Sequence, residues 1–291
     1  MSQVKVGIIG GTGLGEALGA LGGDSVTVET PFGPPAAPIR VARVEGVEVA
    51  LLSRHGLGHR VNPTHVPYRA NVFALKALGV THVIASGATG SLDERIAPRH
   101  LVIADQVIDR TFRRVNTFFD DFAGHVDFAS PFCPTLRRLL TGQAGACSTM
   151  VHPSGTYVCI EGPQLSSQAE SHMHRHLGGH LVGMTALPEA RLMREAELCY
   201  ALVALPTDYD CWRARPEDAA NVDVLSEVIA NLKAATENGL ALIRSTLRHI
   251  TDAPCTCQRA LAKGIWSSPE TIGRDVRLRL APLLGKYLPV G

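Results

Sequence analysis

Residues Cys199 to Trp212 read CYALVALPTDYDCW, and they limit the fold more tightly than any other stretch of the chain. Tyr200 to Leu205 is a short, continuously apolar run, the pattern of a strand buried on both faces of a parallel sheet. It empties into Pro206-Thr207-Asp208-Tyr209-Asp210. If the chain is still extended there, the two-residue period puts Asp208 and Asp210 on one face. Open α/β sheets bind ligands beyond the carboxyl ends of their strands. The acids are therefore a binding-site pair, two solvated loop carboxylates, or half of a metal site whose other ligands must be found elsewhere.

A chain of 291 residues with 45% hydrophobic content can bury the core of one large domain, or of one domain with an appendage. The balance of 28 Lys and Arg against 27 Asp and Glu argues against a nucleic-acid surface, which needs clustered basic residues. No apolar segment is long enough to suggest a membrane span. The start, MSQVKVGIIGG, runs straight into a strand pattern without a leader, so a cytoplasmic protein is expected. Cys255-Thr256-Cys257 is the one close cysteine pair among seven cysteines, and alone it lacks the second pair a zinc site needs.

Other predicted strand ends carry anion chemistry. Val4 to Ile9 reads as a strand closing in Gly10-Gly11-Thr12-Gly13-Leu14-Gly15, whose backbone N–H groups and Thr12 hydroxyl could cradle an anion. Its glycines miss the dinucleotide fingerprint, because Glu16 and Leu18 stand where a third glycine belongs, and there is no Walker lysine. Ile39 to Val44 and Val47 to Leu52 read as a hairpin turning at Glu45-Gly46, which delivers Arg54 and His55. A guanidinium fork and an imidazole donor suit a phosphate. Asn62 to Leu78 reads as a helix, His82 to Ala85 as a strand, and Ser86 to Ser91 as a third glycine-rich anion loop.

Further on, Leu101 to Asp109 and Thr156 to Ile160 read as strands, and Ser166 to His176 and Glu189 to Glu195 as helices. Of His172, His174, His176 and His180, only His172 and His176 share a helix face, and no carboxylate completes a metal set. Arg213 to Asn221 is charged as a lid would be, Val222 to Ile250 is a long amphipathic pattern, and a last helix runs near Pro269 to Tyr287.

GIIGGTGL, SRHGLGH, SGATGSL, IEGPQLSSQAE, GMTALPEA and TDYDCW occur in an order that resembles the 5′-methylthioadenosine phosphorylases of the trimeric purine nucleoside phosphorylase family. The resemblance covers about residues 3 to 250, and the rest, 251–291, is an extension carrying the CxC and a helix. It implies a single α/β domain with a central mixed sheet flanked by helices, and a homotrimer that could pair into a hexamer. It also implies inorganic phosphate as cosubstrate, with no cofactor, no metal and no membrane partner.

Carried over residue by residue, the resemblance gives Thr12, Arg54, His55, the backbone at Ala88 and the Thr185 hydroxyl to phosphate. Met184 falls to ribose, Asp208 and Asp210 to the purine, Val222 and Leu225 to the 5′-methylthio group, and His125 to a neighbouring subunit's site. The implied reaction releases adenine and 5-methylthioribose 1-phosphate for purine and methionine salvage. A protonated Asp208 could donate to purine N7 and Asp210 accept from the 6-amino group, and the sequence leaves open which acid takes which role. A 6-oxopurine or methylthioinosine phosphorylase is the alternative, and the acid pair disfavours it. Two positions depart from the pattern: Gly87 replaces a threonine, with Ser86 the nearby hydroxyl that could compensate, and Leu165 replaces a phenylalanine. Cys133 and Cys199 match positions bridged in some thermostable relatives, and free buried thiols are expected here.

Overall fold

The computed structural model describes residues 6–11, 14, 22–213, 224–251 and 255–290, apart from the side chains at 224 and 225. Its strands are β1 (Val6–Gly10), β2 (Asp24–Val26), β3 (Ile39–Val44), β4 (Val47–Ser53), β5 (His82–Ser91), β6 (Leu101–Ile103), β7 (Gln106–Arg110), β8 (Val151–His152), β9 (Thr156–Ile160), β10 (Leu181–Gly183) and β11 (Cys199–Asp208). All eleven belong to one sheet, with β2-β3-β4-β1-β5-β10-β9-β7 as its main path and β11, β6 and β8 branching from β5. Its helices are α1 (Tyr68–Ala77), α2 (Pro134–Gly142), α3 (Gln168–His176), α4 (Ala186–Glu195), α5 (Val224–Leu247), α6 (Arg274–Arg279) and α7 (Ala281–Leu284).

The sheet is mixed: β1 runs parallel to β4 and β5, and β11 parallel to β5, while β10 is antiparallel to β5 and β6 antiparallel to β11. The period of two divides the core. Ile9, Val83, Tyr200 and Leu202 face one layer with α1 and α4, whereas Ile8, Ile84, Ala201 and Val203 face the other with α2 and α5. That two-sided burial is why β11 is continuously apolar.

Several element boundaries differ from the sequence expectations. The helix expected from Asn62 begins at Tyr68, because Pro63 sets a separate 3₁₀ turn capped by the Asn62 side chain and Pro67 precedes the helix. The apolar run from Leu101 is two strands, β6 beside β11 and β7 beside β9, broken at Ala104-Asp105. The tail helix is a turn at Pro269–Thr271 followed by α6 and α7, with proline in the first turn of α7. Val276, Leu280, Leu283 and Leu284 do dock, joining the core layer that holds Tyr68 and Phe73. The glycine-rich run after Ala85 is no loop; it is the second half of the ten-residue strand β5.

The irregular segment after β7 is anchored by Glu195, whose carboxylate accepts from Thr117 Oγ1 and the Phe118 N–H, both at 2.7 Å. Burial pushes this acid up from 4.5 to about 7. The folded chain therefore binds the proton more tightly than the unfolded chain, and stability from this group falls as pH rises from about 4.5 to about 7. Glu195→Gln should remove that slope. Urea midpoints of both proteins across this window test it, and a wild-type to variant difference independent of pH would contradict it.

The CxC departs from expectation through Cys133 and Cys199, which are themselves buried and unbridged as expected. They supply the second pair that the CxC lacked: the sulfurs of Cys133, Cys199, Cys255 and Cys257 all lie within 4.8 Å of one another. Spacing hid this, since the two partners are far apart in sequence.

Candidate active site

A cavity of about 930 Å³ opens where the sheet divides around β5. β1 pairs with β5 only through Ala85, and β10 takes the same edge only from Gly90. Neither strand pairs with Ser86 to Thr89, so this edge of the backbone faces a gap, and Gly87, Ala88, Thr89 and Gly90 line the cavity. Small residues leave room there. Gly11 is required on the other side, because a Cβ would fall 2.7 Å from the Ser86 carbonyl and 2.8 Å from Arg54 Nη1.

Arg54 is fully buried and lines the same end. Its Nε and Nη2 donate to the two oxygens of Glu189 at 2.7 and 2.9 Å, and Nη1 donates to the Ser86 carbonyl at 2.8 Å. Tyr200 Oη adds a hydrogen bond of 2.7 Å to Glu189. Burial opposes the guanidinium charge, and the Glu189 carboxylate outweighs it, raising the pKa further. Arg54 is thereby a rigid fork with its remaining N–H bonds free to meet an anion.

His55 is a neutral imidazole: burial, and then the Arg54 charge, hold its pKa down at about 4. Its Nδ1 lies 2.8 Å from the Val61 carbonyl, an acceptor, so Nδ1 carries the proton and Nε2 is left as an acceptor. Such a nitrogen suits a protonated phosphate oxygen or a sugar hydroxyl. His59, stacked on His55 with ring centroids 4.2 Å apart, also lines the cavity.

Asp208 and Asp210 line the far end. They are not equivalent. Asp208 accepts from Thr207 Oγ1 and from the Asp210 N–H, each at 2.7 Å, so both of its oxygens act as acceptors. Asp210 sits at φ +51°, a left-handed position that aspartate tolerates and that turns its N–H back onto Asp208. Burial raises its pKa, the Ser171 hydroxyl works against this and the Asp208 charge works with it, and its Oδ2 is buried without a partner. Burial thus favours the protonated form of Asp210, in a pair whose division of roles the sequence leaves open.

Met184 and Thr185 line the middle, at the exit of β10. Arg114 holds that exit: its guanidinium donates to the carbonyls of Met184 at 2.5 Å, Leu187 at 2.6 Å and Glu161 at 2.5 Å. Glu161 accepts from Arg114 Nε at 3.0 Å and from Thr64 Oγ1 and the Phe112 N–H at 2.8 Å. Burial would raise Glu161, but these donors, led by Phe112, hold it down at about 2. Gly162, at φ +67°, is pressed against Met184, where a Cβ would meet Sδ at 2.5 Å.

Of the expected residues, Arg54, His55, Ala88, Met184, Thr185, Asp208 and Asp210 share this one cavity. Thr12 and Val222 lie outside the described residues, as do 214–221 of the expected lid. Leu225 lies on α5, whose Val228, one turn on, lines the cavity. His125 lies elsewhere, exposed and edge-on to Trp266 with centroids 4.7 Å apart. Ser86 does not compensate for Gly87, being buried away from the cavity; Thr89 lines it instead. Leu165 stands at the mouth, 81% exposed. The residues missed were Glu189, Glu161, Arg114, Thr89 and Val228. An acid following proline in GMTALPEA and one following a strand in IEGP were the available signals.

The model of the phosphorylase superfamily matches residues 5–248. An S-methyl-5′-thioadenosine phosphorylase of Geobacter sulfurreducens is 42% identical over 291 residues, covering 99% of this chain and 100% of its own. A methylthioadenosine phosphorylase sourced from an antarctic soil metagenomic library superposes with a TM-score of 0.89 at 40% identity, over 98% of this chain and 100% of that one. A mutant adenosine/methylthioadenosine phosphorylase from Schistosoma mansoni, in complex with methylthioadenosine, gives 0.82 at 32% identity, over 90% of this chain and 99% of that one.

Proposed function

The chain belongs to the phosphorylase superfamily, among its S-methyl-5′-thioadenosine phosphorylases, and from that premise we propose that its cavity converts 5′-methylthioadenosine and phosphate into adenine and 5-methylthioribose 1-phosphate. The observation that carries this is one cavity with an anion-binding gap beside Arg54 at one end and an unequal carboxylate pair at the other. Phosphate binds against the Ala88 backbone, Arg54, the Thr185 hydroxyl and His55 Nε2, with Thr12 as a further donor. Ribose lies against Met184. The purine meets Asp208 and Asp210.

Cleavage of the C1′–N9 bond leaves positive charge on the sugar and negative charge on the base. Phosphate held beneath the sugar meets the first, and a proton from Asp210 to purine N7 meets the second. Asp208 accepts from the 6-amino group, as its acceptor-only geometry favours. That acceptor speaks against 6-oxopurines, which present a carbonyl at the same place. Val228 gives the 5′ substituent an apolar surface, to which the family resemblance adds Val222 and Leu225.

No step needs a metal or organic cofactor, so turnover should survive EDTA applied to the folded enzyme. Loss of turnover with EDTA, restored by a divalent ion, would contradict this. A 5′-hydroxyl would be desolvated at that surface without a partner, costing on the order of 1–3 kcal/mol. Methylthioadenosine should therefore exceed adenosine in kcat/KM by about 5- to 150-fold. Equal efficiencies would overturn the pocket assignment.

The protein further acts, on this proposal, as a cytoplasmic homotrimer in purine and methionine salvage. His125 then projects into a neighbour's cavity, which its exposed position away from its own supports. No helix among the described residues is long and apolar enough to cross a membrane.

A further inference from the structure

The four clustered cysteines have no part in that reaction. Cys133 caps α2, Cys199 opens β11, and Cys255 and Cys257 lie in the segment after α5. Asp208 stands at the other end of β11, which at about 3.3 Å per residue puts the purine end of the cavity about 30 Å from Cys199. Each of the four is at most 9% exposed, and none is bonded to another. Their sulfurs lie within 4.8 Å of one another, with Cys133 Sγ and Cys255 Sγ 3.5 Å apart. A tetrahedral thiolate site with metal–sulfur bonds of about 2.3 Å has sulfur–sulfur edges of about 3.8 Å.

We propose that Cys133, Cys199, Cys255 and Cys257 form a closed structural site for one thiophilic divalent cation of the zinc class. Binding is an acid–base step with no redox change: four thiols release four protons to solvent, and four thiolates with one Zn²⁺ form a centre of net charge about −2. Two donors are already placed to offset that charge. The Leu136 N–H, in the first turn of α2, points at Cys133 Sγ at 3.5 Å, and Arg194 Nη1 at Cys257 Sγ at 3.6 Å. Four protein ligands leave no open position, so the ion stabilises and does not catalyse. It fastens the segment around Cys255 and Cys257 to the first residue of the central strand and to the cap of α2. A pair of disulfides would instead need an oxidant and would bring sulfurs from 3.5 Å or more to bonding distance.

The test uses the full-length chain, purified in reductant and without chelator. Elemental analysis should find about one zinc per chain, released by a mercurial thiol reagent. Cys133→Ser and Cys257→Ser should each hold at least about tenfold less metal, while Cys147→Ser, outside the cluster, should hold as much as wild type. Cobalt(II) in the wild-type chain should give a tetrahedral cobalt–thiolate spectrum, a result that does not depend on any variant folding. Zinc restored to a stripped chain should raise Tm. Absence of metal, with either seven free thiols titrating in denaturant or two disulfides closed, would overturn the site. So would zinc retained equally by Cys133→Ser and Cys257→Ser, which would mark adventitious binding only.

Discussion

Replacing Glu189 by alanine is expected to cost about 3–5 kcal/mol of stability, because it strands a buried cation. Arg54 and Glu189 are 0% and 1% exposed and share a two-point hydrogen-bonded contact. Removing the acid takes the counter-charge of Arg54 and the acceptor of Tyr200 together. The double change Arg54→Met with Glu189→Leu should recover most of the stability, since apolar side chains of similar volume often replace a buried pair at little cost. It should not recover phosphorolysis, because the fork at the β5 gap is gone. Chemical denaturation with kcat/KM for each protein separates the two effects. A cost below about 1 kcal/mol for Glu189→Ala would mean the pair is solvated.

Asp210→Asn should lower kcat by about 10²- to 10⁴-fold, the range for loss of a positioned general acid. The amide can still donate a hydrogen bond to N7 but has no proton to give. Asp208→Asn should act differently: turnover of 6-aminopurines falls, and the methylthioadenosine to methylthioinosine ratio of kcat/KM shifts toward the 6-oxo substrate by about 5- to 150-fold. Burial, which raises Asp210, should also appear as loss of kcat with rising pH as that acid gives up its proton, a limb absent in Asp210→Asn. Equal effects of the two substitutions on rate and base preference would contradict the division of roles.

Local chemistry at the strand ends was legible in the sequence. Apolar runs closing in glycines, in Arg54-His55 and in Asp208-x-Asp210 each announced a site, and the structure brings seven of the expected residues to one cavity. What was hidden depends on distant pairing. Gly87 to Gly90 read as a loop because glycines punctuate turns, whereas here they form a strand edge that two neighbours decline to pair. His55 read as a donor until the Val61 carbonyl fixed its tautomer. Glu189, Arg114 and the partners of the CxC were invisible because their contacts join segments far apart in the chain.

The most direct test of pentosyl transfer to phosphate in this cavity is product analysis with methylthioadenosine in the presence and absence of inorganic phosphate. Adenine release should require phosphate and consume one phosphate for each base freed, with the sugar recovered as its 1-phosphate. Adenine released at the same rate without phosphate, together with free methylthioribose, would show that water is the nucleophile and that the gap beside Arg54 does not hold a cosubstrate.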